Sequence, residues 1–317
     1  MSTSRTSLAR KSLAVLASVT LALGVTACNR DTAADGDGSG GNVTLALSTQ
    51  TNPFFVQLRD GAQAKADELG ITLNIQDASD DASTQINQLN NAASAGAQVV
   101  IVNPTDSDAV VPAVEALNNA DIPVIAVDRS SNGGEVASFI ASDNVAGGRQ
   151  AAEALAEAIG EEGEVIVLQG IAGSSASRDR GRGFTEGISA YPNIRVVATQ
   201  TAGFDRTKGL DVASNLLQAH PNVKAIFAEN DEMALGALEA LGARAGDAVK
   251  VVGFDGTADG LAAVKAGRMV ATIAQQPDEL GAQAVEQAKK ILDDQTPDKE
   301  VPVEVVTVTR ENVGDFE

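Results

Sequence analysis

The stretch Ile122-Pro-Val-Ile-Ala-Val-Asp-Arg-Ser130 indicates the fold class of the chain. Its first six residues are apolar on both alternating faces and rich in β-branched side chains. That pattern is typical of a central parallel strand covered on both sides. The stretch ends in an adjacent acid and base, Asp128 and Arg129, and open α/β sheets bind ligands at the carboxyl ends of their strands. The pair is therefore either a surface salt bridge or part of a binding site, and the pair alone does not decide between them.

On both sides of this stretch, short β-branched segments alternate with Ala-rich amphipathic segments. The pattern predicts strands at 43–48, 71–76, 99–103, 122–127, 136–140, 164–169, 194–199, 224–228, 249–253, 270–274 and 301–308. It predicts helices at 53–69, 83–95, 107–119, 144–159, 175–190, 206–219, 232–241, 259–266 and 277–292. Such alternation produces right-handed βαβ units and parallel sheets. The rhythm breaks after Arg129 and then restarts, which predicts an α/β fold of two similar, doubly wound parallel-sheet lobes with a hinge between them.

Composition limits the classes of function. The chain has 317 residues, of which 44% are hydrophobic, so it is long enough for two domains. Its net charge of −20 repels phosphate backbones and anionic lipid, and we expect no nucleic-acid partner. Only 3% of the residues are aromatic, so phenylalanines in predicted loops need an explanation.

The N-terminus has the layout of a signal peptide at 1–27, with a basic start and an apolar run too short for a transmembrane span. The small residues before Cys28 resemble the lipobox of bacterial lipoproteins, which are cleaved before the cysteine and lipidated on it. The alternative is an ordinary secreted protein with a stray thiol. Residues 28–41 read as a flexible tether, since the calcium-loop alternative lacks most of its ligands. We expect secretion across the cytoplasmic membrane and a lipid anchor on its outer face.

Polar and aromatic side chains gather in the segments that follow the predicted strands. They are Asn52, Phe54, Phe55, Asp128, Arg129, Arg178, Arg180, Phe204, Asp205, Glu229, Asn230, Asp231, Phe254, Asp255, Gln275 and Gln276. Aromatic faces cover the C–H faces of a sugar, while carboxylates and guanidinium groups hydrogen-bond its hydroxyls. Asp128 and Asp255 would repel an anion. The sequence therefore favours an uncharged polyol as ligand, and it predicts Asp231 as the N-cap of the helix that follows it.

Catalysis and metal binding find little support. The single histidine, His220, precedes Pro221 in a predicted turn, and no spacing of His, Cys, Asp and Glu indicates a metal site. Asp128 and Asp255 are a possible glycosidase pair, but the surrounding donors are suited to hold both acids ionised. The Gly/Ser-rich loop at 170–177 lacks the phosphate-binding glycine patterns and reads as a strand-to-helix turn. We expect no enzyme activity, cofactor or metal.

Several long runs resemble the ribose-binding proteins of bacterial ABC importers, which belong to the type 1 periplasmic binding proteins. The runs are NPFFVQLRDGAQ, VNPTDSDAV, IPVIAVDRS, IASDNVAGG, LQGIAGSSASRDRGRGF, GFDRTKGL, FAENDEMALGAL, VVGFDG and ATIAQQPD. The resemblance implies chain crossings near Ser142–Asp143, Gln275–Gln276 and Glu304–Val305. It also implies an N-terminal lobe of 42–142 plus 276–304 and a C-terminal lobe of 143–275 plus 305–317.

The resemblance further implies a ribose site shared by both lobes. The family's ribose-contacting positions fall on Asn52, Phe54, Phe55, Asp128, Arg129, Arg180, Phe204, Asn230, Asp255 and Gln275. The implied function is capture of D-ribose by a monomeric lipoprotein that delivers it to an ABC permease and its ATPase. The alternatives are a receptor for a related sugar or a furanosyl signalling molecule, a LacI-type regulator and a sugar-modifying enzyme. A regulator requires a helix-turn-helix where this chain has a signal segment.

Overall fold

A computed structural model of the chain describes residues 41–316. The predicted signal peptide at 1–27, Cys28 and all but the last residue of the tether at 28–41 lie outside the described residues. The strands are β1 (Asn42–Leu47), β2 (Thr72–Asp77), β3 (Val99–Val102), β4 (Val124–Val127), β5 (Ser138–Ser142), β6 (Glu162–Gln169), β7 (Asn193–Thr201), β8 (Val223–Ala228), β9 (Lys250–Asp255), β10 (Ala271–Ala274), β11 (Glu300–Val303) and β12 (Val306–Thr309). The α-helices are α1 (Pro53–Leu69), α2 (Ala82–Ser94), α3 (Val111–Asn119), α4 (Asn144–Ala158), α5 (Ser175–Ile188), α6 (Arg206–Ala219), α7 (Asp231–Leu241), α8 (Ala258–Lys265) and α9 (Pro277–Leu292).

The strands form two six-stranded sheets, each the centre of one lobe. The first has the order β11-β5-β4-β3-β1-β2, and the second has the order β12-β10-β9-β8-β6-β7. All neighbours in the first sheet are parallel, whereas β12 joins the edge of the second sheet antiparallel to β10. Helices cover both faces of each sheet, with α1 and α9 against one face of the first and α2 and α3 against the other. The predicted two-lobe, doubly wound architecture is confirmed.

Strand β4 has the central position that its apolar sequence predicts. It pairs with β3 on one side and β5 on the other. Its four residues are at most 1% exposed, because helices cover both faces. Asp128 and Arg129 follow at its carboxyl end, which places them at the edge of the first sheet that faces the second lobe.

The chain passes between the sheets at three neighbouring places. The first lies between β5 and α4, the second between β10 and α9, and the third between β11 and β12. Hydrogen bonds join these crossings. The Asp143 N–H donates to the carbonyl of Val303 at 3.1 Å, and Gln276 Nε2 donates to the carbonyl of Glu304 at 3.1 Å. The three crossing segments therefore lie side by side and form one hinge.

Most predicted elements differ from the structure by one or two residues at their ends, and three show larger or more informative differences. The single strand expected at 301–308 is two strands, since residues 304 and 305 carry the chain from one sheet to the other. Helix α3 begins at Val111 rather than at residue 107, because Asp106 Oδ1 accepts the N–H groups of Asp108 and Ala109 in a preceding turn. Strand β9 extends to Asp255, so Phe254 belongs to the strand and lies in the core. Within residues 41–316, no helix combines the length and apolarity needed to cross a membrane.

Candidate functional site

A small cavity lies between the carboxyl ends of the two sheets. Its lining contains eight of the ten predicted ligand-binding residues and one alanine. These residues are Phe54, Phe55, Asp128, Arg129, Ala176, Arg180, Phe204, Asn230 and Asp255. They come from both lobes, so the fold brings together residues that are up to about 200 positions apart along the chain.

Two phenylalanines from the first turn of α1 form one wall. Asn52 Oδ1 accepts the N–H of Phe54 at 2.9 Å and thereby caps the helix, while Pro53 occupies its first turn. The rings of Phe54 and Phe55 meet edge to face, with centroids 5.1 Å apart, and both are buried. Asn52 does not line the cavity. Its side chain fixes the start of the helix that carries the two rings.

Asp128 and Arg129 are buried rather than forming a surface pair, with each residue 3% exposed. Arg129 Nε lies 3.5 Å from Asp128 Oδ2, and Asn103 Nδ2 donates to the same oxygen at 3.0 Å. The Arg129 guanidinium lies 5.1 Å from the ring centroid of Phe55, an arrangement typical of a cation–π contact. Asp128 Oδ1 and Arg129 Nε have no hydrogen-bond partner among the described residues. These buried polar atoms are therefore available to a ligand.

Arg180 and Asp255 form a second buried pair in the other lobe. Arg180 Nη1 lies 3.4 Å from Asp255 Oδ1 and donates to the carbonyl of Glu229 at 2.7 Å. The guanidinium lies 3.8 Å from the ring centroid of Phe254, which forms the floor beneath it. Gln275 does not line the cavity. Its Nε2 donates to Asp255 Oδ1 at 2.8 Å and holds that carboxylate in place.

Phe204 and Asn230 complete the second lobe's side of the cavity. The Phe204 ring lies over Gly170, where a Cβ would overlap the ring. Asn230 Nδ2 donates to the carbonyl of Phe204 at 3.3 Å, and Asn230 Oδ1 accepts the N–H of Met233 at 2.9 Å. Asn230 is thus the N-cap of α7, and the prediction of Asp231 as the cap is wrong. Asp231 is the first helical residue, and its buried carboxylate instead accepts hydrogen bonds from Thr257 and Thr272.

Burial shifts the pKa values of the charged groups at the site. Desolvation raises the pKa of Asp128 and lowers that of Arg129, and the attraction between the two opposes both shifts. Desolvation also raises the pKa of Asp255, against the effect of Arg180. Each lobe therefore holds its carboxylate beside an arginine, which limits the cost of burying either charge.

Three residues of the lining have unusual backbone angles. The φ values of Asp128, Phe204 and Asp255 are +64°, +61° and +118°. Residues other than glycine rarely adopt positive φ angles, and backbone strain of this kind concentrates at functional sites. The strained backbone sets the direction in which each side chain leaves its strand or turn.

Sequence reasoning missed several residues that support the site. Asn103 donates to Asp128. It follows β3 directly, so the rule that located the other residues, Glu229 among them, also applies to it. Asn144 accepts the Nε–H of Arg180 at 2.8 Å, and no local pattern identifies it. Ala176 lines the cavity with a methyl group only.

The cavity combines aromatic rings with buried acceptors and donors, which suits a small uncharged molecule with several hydroxyl groups. Within the described part of the chain, no group of three or more His, Cys, Asp and Glu side chains is placed to hold a metal ion.

Known proteins are similar to this chain in both sequence and fold. A ribose import binding protein of Salmonella typhimurium is 49% identical over 269 residues, which cover 85% of this chain and 90% of that protein. A ribose import binding protein of Bacillus subtilis is 45% identical over 250 residues, covering 79% of this chain and 81% of that protein. The solved structure of the Caulobacter myo-inositol binding protein with myo-inositol has a TM-score of 0.84 at 36% identity, covering 88% of this chain and 96% of that one. A family model described as periplasmic binding protein domain matches residues 43–296. The chain therefore belongs to the periplasmic binding protein family.

Proposed function

We propose that the chain captures D-ribose between its lobes and delivers it to the permease and ATPase of an ABC importer. The observation that carries this proposal is the pair of buried Asp–Arg couples, one in each lobe, that face one cavity beside phenylalanine rings. The identity of 45–49% to ribose import binding proteins supports ribose in particular. Like its family and its relatives, the chain is a solute-binding protein of the type 1 class, and it is not an enzyme.

In this proposal the phenylalanine rings cover the apolar faces of the sugar ring, and the two Asp–Arg couples bind its hydroxyls. Asp128 Oδ1 accepts from a hydroxyl, and Arg129 Nε donates to one. Neither atom has a hydrogen-bond partner among the described residues. Asn52 and Gln275 act by holding Phe54 and Asp255. A sugar that lacks one of the matching hydroxyls leaves a buried group unpaired and binds more weakly.

The ligand also favours closure of the two lobes. We propose that 42–142 with 276–304, and 143–275 with 305–317, move as two bodies about the three crossings. D-ribose contacts both bodies only when they are closed, so it shifts the population toward the closed state by its differential affinity. Ligand binding to a monomer is sufficient for this mechanism.

The protein works outside the cytoplasm, as its family does. We further propose that it is held at the outer face of the cytoplasmic membrane by lipid on Cys28 after removal of residues 1–27. Labelling of growing cells with a radioactive fatty acid should mark the wild type and leave Cys28→Ser unmarked. A wild type that takes up no label would contradict the lipid anchor and leave the sugar site unaffected.

Calorimetric titration of residues 42–317 with D-ribose tests the sugar assignment. D-Allose, D-xylose and myo-inositol serve as comparison ligands. We expect D-ribose to bind at least tenfold more tightly than any of them. Absence of heat with D-ribose, together with clear heat from another sugar, would replace ribose by that sugar.

A further inference from the structure

Asn144 lies where the hinge meets the cavity. It is the first residue of α4, two positions after the last residue of β5, and it is 6% exposed. Its Oδ1 accepts the Nε–H of Arg180 at 2.8 Å, while its Nδ2 donates to the carbonyl of Ser142 at 3.1 Å. One amide group therefore connects an arginine of the cavity to the crossing between the lobes.

Close packing of two helices makes this contact possible. A Cβ at Gly148 of α4 would overlap the carbonyl oxygen of Arg180, and a Cβ at Gly183 of α5 would overlap the carbonyl oxygen of Val145. The two backbones therefore touch directly next to Asn144. This packing leaves Arg180 and Asn144 little freedom to separate while the helices remain in contact.

The other contacts of Arg180 stay within its own lobe. Its Nη1 donates to the carbonyl of Glu229 and to Asp255 Oδ1, and its guanidinium lies on the ring of Phe254. Asp255 is held in turn by Gln275, which precedes the second crossing and belongs to the same lobe. Ser142 is the last residue of a strand of the first sheet, so its carbonyl direction depends on the backbone angles of the first crossing. The Asn144–Ser142 bond is the part of this network that a hinge rotation would change.

We propose that Asn144 is a positioning residue that couples the orientation of Arg180 to the hinge. With the lobes closed, the amide is anchored on Ser142 and presents its oxygen to Arg180 Nε, which orients the guanidinium toward the ligand. Rotation at the crossing weakens the anchor and loosens the arginine. This inference rests on the proposed role of Arg180 in sugar binding.

Three variants test the coupling by titration with D-ribose. Asn144→Ala removes both hydrogen bonds and should weaken binding by about ten- to hundredfold, since one of them is made to a charged group. Asn144→Asp keeps the acceptor for Arg180 but places a second oxygen against the carbonyl of Ser142, and binding should fall at least fivefold. Arg149→Ala is the matched control. It removes an exposed ion pair with Glu186 between the same two helices without touching Arg180, and binding should stay within threefold of the wild type.

A measurement without sugar keeps the inference independent of the ribose assignment. In ¹⁵N NMR spectra of the sugar-free protein, hydrogen exchange at Arg180 Nε should accelerate at least tenfold in Asn144→Ala, which loses the acceptor. It should keep the wild-type rate in Asn144→Asp, which retains the acceptor, and in Arg149→Ala. If the wild type gives no heat with D-ribose, the proposed sugar is wrong and this exchange measurement alone decides the positioning role. Unchanged exchange in Asn144→Ala would overturn the role. Wild-type ribose affinity in Asn144→Asp would overturn the link to the hinge.

Discussion

Arg129 lies between aromatic rings that belong to different lobes. Its guanidinium is 5.1 Å from the ring centroid of Phe55 and 5.4 Å from that of Phe204. Its pairing with Asp128 stays within the first lobe. This one side chain therefore contributes a charge, a hydrogen-bond donor and a contact across the cavity.

We expect Arg129→Ala to weaken D-ribose binding at least 100-fold, because the variant loses donors to the sugar and leaves Asp128 unpaired. Breaking a buried pair should also lower the free energy of unfolding by about 3 kcal/mol without changing the fold. Calorimetry and circular dichroism measure the two effects. Arg182→Ala, which removes a surface arginine paired with Asp179, is the control and should bind normally. Ribose affinity retained in Arg129→Ala would remove this residue from the site.

Glu229 is a second buried residue of the site region, and its protonation affects the stability of the fold. It is fully buried, and its Oε2 accepts the N–H of Gly170 at 2.7 Å and the hydroxyl of Ser177. Desolvation raises the pKa of Glu229 from 4.5 to about 7. Between these values the folded state retains a proton that the unfolded state has released, so the stability contributed by this group falls as pH rises.

We expect Glu229→Gln to remove that pH dependence while one amide oxygen still accepts both hydrogen bonds. Between pH 4.5 and pH 7, the free energy of unfolding of the variant should gain about 3 kcal/mol relative to the wild type. Urea unfolding at several pH values measures the difference. Parallel curves for the two proteins would show that Glu229 does not titrate in this range.

At the level of elements, glycines allow helices of one layer to touch along their backbones. A Cβ at Gly281 of α9 would overlap the carbonyl oxygen of Leu58 in α1, and a Cβ at Gly61 would overlap that of Asp278. The α4–α5 pair of the other lobe has the same construction at Gly148 and Gly183. In each lobe, therefore, two neighbouring helices touch backbone to backbone at these glycines.

We expect Gly281→Ala to lower the free energy of unfolding by about 2 kcal/mol. The cost of separating two packed backbones exceeds the gain of about 1 kcal/mol in helix propensity. Gly314→Ala is the matched control, because a Cβ there meets no atom within 4 Å. Chemical denaturation of both variants provides the comparison, and an unchanged midpoint for Gly281→Ala would show that the helices can move apart freely.

The elements also show what could be predicted from the sequence. Alternating apolar and amphipathic segments predicted the strands and helices, and the carboxyl-end rule located Asp128 and Asp255. The periodicity of 301–308 predicted one strand, because residues on two sheets can still follow a single apolar pattern. Asn144 was not predicted, since its contact with Arg180 depends on the approach of α4 to α5, which is a tertiary contact. The positive φ angles of Asp128, Phe204 and Asp255 could not be predicted either, because in the sequence only glycine signals such an angle clearly.

At the scale of the whole molecule, direct contacts join the lobes beside the cavity. The N–H of Ser107 donates to the carbonyl of Gly173 at 3.0 Å, and the N–H of Ser130 donates to Ser175 Oγ at 2.9 Å. Gly173 lies against the carboxylate of Asp106, where a Cβ would overlap Oδ2. The Gly/Ser-rich loop at 170–177 is thus more than a strand-to-helix turn, since it carries contacts of the second lobe with the first.

We expect Gly173→Ala to weaken D-ribose binding about tenfold, because the added methyl group opposes closure without touching the cavity. Small-angle scattering at saturating sugar should still show the closed shape, and urea unfolding should be unchanged. Adding Asp106→Ala should restore part of the affinity by removing the obstructing carboxylate. Wild-type affinity in Gly173→Ala would mean that this contact plays no part in closure.

Both sheets receive a strand from the same short segment near the end of the chain, since β11 joins the first sheet and β12 joins the second. The first sheet lacks its sixth strand until residue 303 is available, and the second lacks its sixth strand until residue 309 is available. A chain that emerges with its N-terminus first, from a ribosome or through a membrane pore, therefore stays incompletely folded until almost all of it has passed. A chain can pass through a narrow export channel only while it is unfolded. In this protein, the order of the strands delays the completion of both sheets until the end of the chain is available.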